Sequence, residues 1–135
     1  MYNNSLIFMI NNSASSVLEN GIIPISVIAR RRGRIIQEGS NSIVLNAPGY
    51  YKVNLSVTFT APVAGDVTIT LNNNGVPVQG ITGSETITTA ETEVRTITLS
   101  GIVRTFCNSV SSLTIVNTGV AIETSNVAID IEYLG

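Results

Sequence analysis

Residues 50–60 alternate apolar and polar side chains at almost every step, a period that fits a β-strand and no helix. The apolar positions are Tyr51, Val53, Leu55, Val57 and Phe59. Because successive side chains of a strand point to opposite faces of its sheet, these five are predicted to face a core. Of the 135 residues, 48 are Ile, Val or Thr, whose branching at Cβ disfavours helices and suits a pleated surface. The chain is therefore predicted to be all-β.

Similar short segments recur about every ten residues, a spacing typical of antiparallel sandwiches and barrels. The predicted strands cover residues 22–29, 42–46, 50–60, 66–72, 76–81, 84–88, 93–106, 113–117 and 126–134. Asn74-Gly75 predicts a tight hairpin, because both residues tolerate positive φ. Pro77 predicts an edge strand, and Gly101 predicts a bulge at which the alternation changes phase. These features predict nine or ten strands in two sheets.

The first twenty residues are predicted to lie outside the compact domain. Residues 11–16 form a polar cluster, so we place an N-terminal lead-in or docking segment at 1–20 and the folded domain at 21–135. The apolar run 6–10 has no basic residue before it, so no secretory signal is expected. No apolar run approaches the roughly 20 residues of a membrane span, so no membrane insertion is expected.

Composition excludes several functional classes. The chain has no His, one Cys and a formal net charge of −2, so it lacks the usual general base and the usual ligands of transition metals. We expect no enzymatic activity, no cofactor, no metal and no nucleic-acid partner, since binding phosphates requires clustered cations over a basic surface. Cys107 is expected to be a buried small hydrophobe. Asp130 and Glu132 share a strand face, but such a pair is more often structural than a glycosidase site.

Arg30, Arg31, Arg32 and Arg34 hold four of the seven cations and follow the first predicted core strand. Three interpretations stay open at this point. The arginines could bind an anionic ligand such as an acidic polysaccharide, they could form a solvated loop, or they could pair with Glu38 or Glu123 of another subunit.

Two predicted strands carry apolar residues on both faces, namely residues 22–29 and 113–116. A strand that is apolar on both faces needs cover on both, and a single sandwich covers one. The second face is predicted to pack against another subunit, with a covering loop as the alternative.

An ordered set of short motifs resembles one known family. Residues 46–53, Asn-Ala-Pro-Gly-Tyr-Tyr-Lys-Val, resemble the central signature of jelly rolls related to the complement component 1q head and tumour necrosis factor. The further pieces lie at residues 65–71, 74–80, 102–104, 113–119 and 126–129, and they resemble versions encoded by Gram-positive bacteria and their phages.

The resemblance implies a ten-stranded antiparallel jelly-roll sandwich that assembles as a homotrimer. One sheet, containing the strands at 22–29, 50–60, 93–106 and 126–134, would surround the three-fold axis. The residues it implies near the axis are Tyr50, Lys52, Asn54, Ser56, Ala128, Asp130 and Glu132. We expect Lys52 to pair with Asp130 or Glu132 of the same or a neighbouring chain, because a buried unpaired Lys is costly.

The resemblance also suggests a role. We expect a non-enzymatic trimeric surface protein at the virion surface, a phage fibre head or capsid decoration protein whose partners are a host glycan or other virion or surface proteins. The alternatives are the head of a spore-surface or cell-surface filament, or a cytokine-like receptor-binding module.

Overall fold

The computed structural model describes residues 5–39 and 41–135. Within these residues the chain forms twelve strands and no helix: β1 Leu6–Asn11, β2 Ser15–Val17, β3 Gly21–Ile23, β4 Val27–Arg32, β5 Ile35–Glu38, β6 Ser42–Leu45, β7 Gly49–Thr60, β8 Gly65–Asn73, β9 Val76–Ile87, β10 Arg95–Thr105, β11 Ser111–Asn117 and β12 Ile122–Tyr133. Sheet I has the order β10-β7-β12-β1-β4, and sheet II has the order β5-β6-β11-β8-β9. Each sheet also takes one three-residue strand, β2 on β12 and β3 on β11. The predicted two-sheet antiparallel jelly roll is confirmed, with twelve strands in place of the predicted nine or ten.

The core lies between the two sheets and follows the predicted alternation. Tyr51 and Phe59 on β7 are fully buried, as are Ile69 and Leu71 on β8. The Tyr51 hydroxyl donates to the Ala47 carbonyl at 2.5 Å. Burial raises the pKa of this phenol, so it stays a neutral donor inside the core.

The predicted domain boundary near Gly21 is wrong. Strand β1 lies inside sheet I, paired with β12 on one side and β4 on the other, and Ile7 and Met9 are fully buried. The segment was misleading because all of residues 6–10 are apolar, which hides the period of two. Residues 5–20 therefore belong to the sandwich, and residues 1–4 lie outside the described part of the chain.

Residues 22–29 form two strands in different sheets where one strand was predicted. β3 pairs with β11 in sheet II, β4 pairs with β1 in sheet I, and Ile25 between them is fully buried. Pro24 separates the two, since it lacks the N–H that a continuous ladder needs. Only the second half of this segment belongs to the sheet that the resemblance implied.

Two of the turn and edge predictions are confirmed, and two others are wrong. The hairpin at Asn74-Gly75 is confirmed by φ values of 53° and 82°, and Pro77 lies on an edge strand of sheet II. Residues 76–81 and 84–88 are one strand, β9, whose register against β8 shifts near Gly80. The phase change predicted at Gly101 does not occur, because Ile97, Leu99 and Val103 are all buried.

Candidate functional site

The residues that the resemblance assigned to a three-fold axis share the outer face of sheet I. Lys52 lies opposite Glu132 in the β7–β12 register, Asn54 opposite Asp130, and Ser56 opposite Ala128. The Asn54 amide donates to Asp130 Oδ1 at 3.3 Å. Tyr50 is on the same face, opposite Arg104 of β10. The structure thus brings these positions together, and their place at an axis stays a prediction.

Lys52 forms no ion pair within the described protomer. It is exposed, and neither Asp130 nor Glu132 contacts it closely enough to count as a salt bridge, although Glu132 is its neighbour in register. The intramolecular version of the predicted pairing is therefore wrong. Pairing with a neighbouring chain stays a prediction.

An apolar surface, which we call the apolar face, covers the β1–β4 side of sheet I. It consists of Leu6, Phe8 and Ile10, which are partly exposed, and Val27, which is 48% exposed; Ile28, 41% exposed, lies opposite the inward-facing Met9 on the open edge of β4. Sequence reasoning found the β4 half and missed the β1 half. The signal for the missed half was the unbroken run of apolar residues from 6 to 10.

A second apolar surface, the apolar edge, lies where β9 and β10 meet at the other side of the sandwich. Val76, Ile102 and Phe106 are 65%, 56% and 58% exposed, and a shallow groove separates the two strands. The Arg104 guanidinium lies 4.4 Å from the Phe106 ring centroid and 5.3 Å from that of Tyr50. Both distances suit cation–π contacts, which hold the cation on the surface.

One of the three interpretations placed the arginine cluster in a solvated loop, whereas the cluster lies on an exposed β-hairpin. Arg30, Arg31 and Arg32 lie on β4, and Arg34 lies in the turn before β5. Arg31 donates through Nε to the Ile35 carbonyl at 2.7 Å, so it also braces the hairpin. The Arg34 N–H donates to Ser5 Oγ at 2.8 Å, which ties the turn to the N-terminal segment.

Charges are segregated along the strands. The end where β7 begins and β12 ends, which we call the basic end, carries Asp130 and Glu132 together with six of the seven cations: Arg30, Arg31, Arg32, Arg34, Lys52 and Arg104. The opposite end, the acidic end, carries Arg95 together with Glu19, Asp66, Glu85, Glu91, Glu93 and Glu123. The formal net charge of −2 is therefore the sum of a positively charged basic end and a negatively charged acidic end. Sequence position alone does not show that Lys52 and Arg104 join the arginine hairpin.

Arg95 is neutralised within the acidic end. Its Nε lies 2.6 Å from Glu93 Oε2, while Glu93 Oε1 accepts the N–H groups of Thr88 and Thr89, each at 3.0 Å. The Thr89 N–H, Arg95 and Thr88 together lower the pKa of Glu93 to about 2. Glu85 of this end also raises the pKa of Arg95, by less than Glu93 does.

A groove of about 410 Å³ opens at the acidic end. It is lined by Ser16, Val17, Leu18, Thr60, Ala61, Pro62, Glu91, Ala121, Ile122 and Glu123. Leu18 is 74% exposed, and the Glu91 N–H donates to the Ala61 carbonyl at 2.7 Å. No sequence motif pointed to this groove, because its walls come from separate parts of the chain.

The described part of the chain offers few candidates for other kinds of functional site. No cluster of three or more His, Cys, Asp or Glu side chains there could hold a metal ion. None of the described residues forms a helix long and apolar enough to cross a membrane. Cys107, predicted to be buried, is exposed, because β10 ends at Thr105 and the following turn leaves the sandwich.

Known proteins share the fold of this chain and little of its sequence. No family model and no curated protein sequence matches it. Among solved structures, the Eiger TNF of S. frugiperda is 11% identical, with a TM-score of 0.71 over 99% of this chain and 94% of that one. Murine APRIL gives 11% and 0.71 over 97% and 99%, and the globular domain of zebrafish complement 1qA gives 10% and 0.68 over 96% of each chain. The chain therefore has the jelly-roll sandwich fold of the TNF and C1q domains.

Proposed function

We propose that the chain is a non-enzymatic homotrimeric binding module, mounted on a virion as a fibre head or capsid decoration, which binds an acidic host-surface glycan through its basic end. The observation that carries the trimer is the pair of exposed apolar surfaces on opposite sides of sheet I. The apolar edge of one protomer and the apolar face of the next are different surfaces, so their contact is head-to-tail. A head-to-tail contact that closes forms a ring, and three protomers form the ring that the fold resemblance implies.

Light scattering across a dilution series tests the assembly. We expect a mass of three chains at micromolar concentrations, and a mass of one chain for Ile102→Glu. Ile36→Glu is the matched control, because Ile36 is 36% exposed on β5 of the other sheet. A monomeric wild type, or an equal loss of mass in both variants, would contradict the proposal.

The basic end supports the choice of an acidic glycan. Arg30 and Arg104 are exposed there, and the described contacts of their side chains are to a carbonyl and to aromatic rings rather than to acids. A guanidinium presents a planar fork of N–H donors that matches the carboxylate of an acidic sugar. Three copies on one trimer would strengthen weak single contacts by avidity.

Two measurements test the ligand and the setting. We expect the protein to bind immobilised polygalacturonate in low salt and to ignore neutral dextran. Mass spectrometry of virions and of spores from the organism that encodes the chain should detect it in the virions. Detection in spores alone would replace the virion setting by the spore-surface one.

A receptor-binding module is the second candidate. The fold similarity to Eiger TNF and APRIL over nearly the whole chain favours it. A stable trimer that ignores both polymers and is absent from both kinds of particle would make it the better explanation.

A further inference from the structure

The groove at the acidic end combines apolar walls with acidic residues. Six of its ten lining residues are apolar, two carry hydroxyls, and two are Glu91 and Glu123. Among the described residues no Lys or Arg lines it, and Arg95, the cation of this end, is held by Glu93. A volume of about 410 Å³ is within the usual range for small-ligand sites, which are mostly apolar with a few polar groups that fix orientation.

Glu91 adopts an unusual backbone conformation at the groove. Its φ is 70°, and among the described residues the other non-glycine residues with positive φ are all Asn, which tolerates that region. The region is unfavourable for a Glu, and the bond from its N–H to the Ala61 carbonyl helps to hold it there. The backbone of Glu91 is thus held beside Ala61, and the exposed side chain starts from this fixed point on the groove wall.

We propose that this groove binds an ammonium or guanidinium group carried on an apolar body. The apolar walls accept the body, and the two carboxylates attract the cation and repel an anion of the same shape. Such a ligand is either a free amphipathic amine or a Lys or Arg flanked by apolar residues in a partner protein. The site is about one strand length from the basic end, so it does not rest on the proposed function.

A series of three six-carbon probes of nearly equal shape tests the proposal. Hexylammonium, hexanol and hexanoate would each be titrated into ¹⁵N-labelled protein, and amide shifts followed at Val17, Leu18 and Ala121. We expect hexylammonium to bind about three- to tenfold more tightly than hexanol, because exposed ion pairs are worth little each. Hexanoate should bind most weakly.

Variants test whether the carboxylates of Glu91 and Glu123 cause the preference for hexylammonium over hexanol. The double variant Glu91→Gln and Glu123→Gln should reduce hexylammonium binding to the level of hexanol and leave hexanol binding unchanged. Glu85→Gln, which removes a charge from the same end outside the groove, should leave the preference intact. The peptide acetyl-Leu-Lys-Leu-amide distinguishes the two sources: tighter binding than hexylammonium indicates a protein segment, and equal or weaker binding indicates a free amine.

The proposal is overturned if none of the probes shifts the groove amides at tens of millimolar, if hexanoate binds as well as hexylammonium, or if the double variant keeps the preference. Monomeric protein in light scattering would contradict the proposed trimer and leave this test unaffected. The two ideas can therefore fail separately.

Discussion

Gly101 on β10 faces Ile81 on β9 so closely that a β-carbon at position 101 would lie 2.5 Å from Ile81 Cγ1. The two strands belong to different sheets, so this contact closes the side of the sandwich that carries the apolar edge. Glycine at position 101 leaves room for the Ile81 side chain, and β10 pairs with β7 through this position without a bulge.

Gly101→Ala should therefore destabilise the protein, by about 1–3 kcal/mol, because overpacking a closed core forces side chains or backbone to move. Urea unfolding measures this loss. Ser100→Ala, the exposed neighbour on the same strand, should change stability little. In an Ile81→Ala background the Gly101→Ala cost should shrink, and an unchanged cost would show that the two residues do not clash.

Strand β1 yields a second prediction. Met9→Asp should unfold the protein, because Met9 is fully buried and an isolated buried charge costs several kcal/mol of a total stability that is usually about 5–15 kcal/mol. Circular dichroism and amide dispersion in NMR spectra report the loss of the sheet. Ser13→Asp, at an exposed bend four residues away, should leave both spectra unchanged. A folded Met9→Asp protein would return the N-terminal segment to the role of a lead-in.

How far sequence predicts this fold depends on where strict alternation exists. Strand β7 was predicted almost to the residue, since it alternates throughout and pairs on both sides with long partners. Strand β1 was missed because its outward residues, Leu6, Phe8 and Ile10, are as apolar as its inward ones. Because its outward residues are apolar, β1 is part of the apolar face, which is the candidate interface. The strand that the alternation of apolar and polar residues did not predict is therefore a strand of that interface.

The candidate sites were less accessible to sequence reasoning, because they join distant parts of the chain. The arginine cluster is local and was recognised. Arg104 joins the same end only because β10 runs antiparallel to β7, which brings position 104 opposite Tyr50. The acidic-end groove draws on β2, the end of β7 and the start of β12, so only the folded register assembles it.

The low pKa of Glu93, about 2 against the ordinary 4.5, predicts a pH dependence of stability. The folded protein holds the carboxylate more strongly than the unfolded chain does, so its stabilising contribution is complete above about pH 4.5 and is lost as the pH falls towards 2. Glu93→Gln should lower the urea midpoint at pH 7 and differ little from wild type at pH 2.

Arg95→Ala is the companion variant for this prediction. It removes the salt bridge and leaves the N–H donors of Thr88 and Thr89 in place. Adding Glu93→Gln to the Arg95→Ala protein should therefore still lower the urea midpoint at pH 7, by less than it does in the wild type. A gap between wild type and Glu93→Gln that is the same at both pH values would contradict the assignment.

The arginines of the hairpin should differ in whether they contribute to stability as well as to anion binding. Arg31 braces the hairpin through the Ile35 and Gly33 carbonyls, so Arg31→Ala should lower stability as well as binding. Arg34→Ser removes an exposed side chain from the turn and keeps the N–H that bonds Ser5, so it should weaken polygalacturonate binding and leave the melting temperature unchanged.

Arg34→Lys is the matched control, because it keeps the charge and loses the planar fork. Recovery of binding by Lys would mean that the basic end acts through its charge, and the affinity should then fall steeply with added salt. Binding that only Arg supports would indicate forked hydrogen bonds to a carboxylate. Binding that is unchanged in Arg34→Ser, and also in Arg30→Ser, would make the hairpin a solvated structural element.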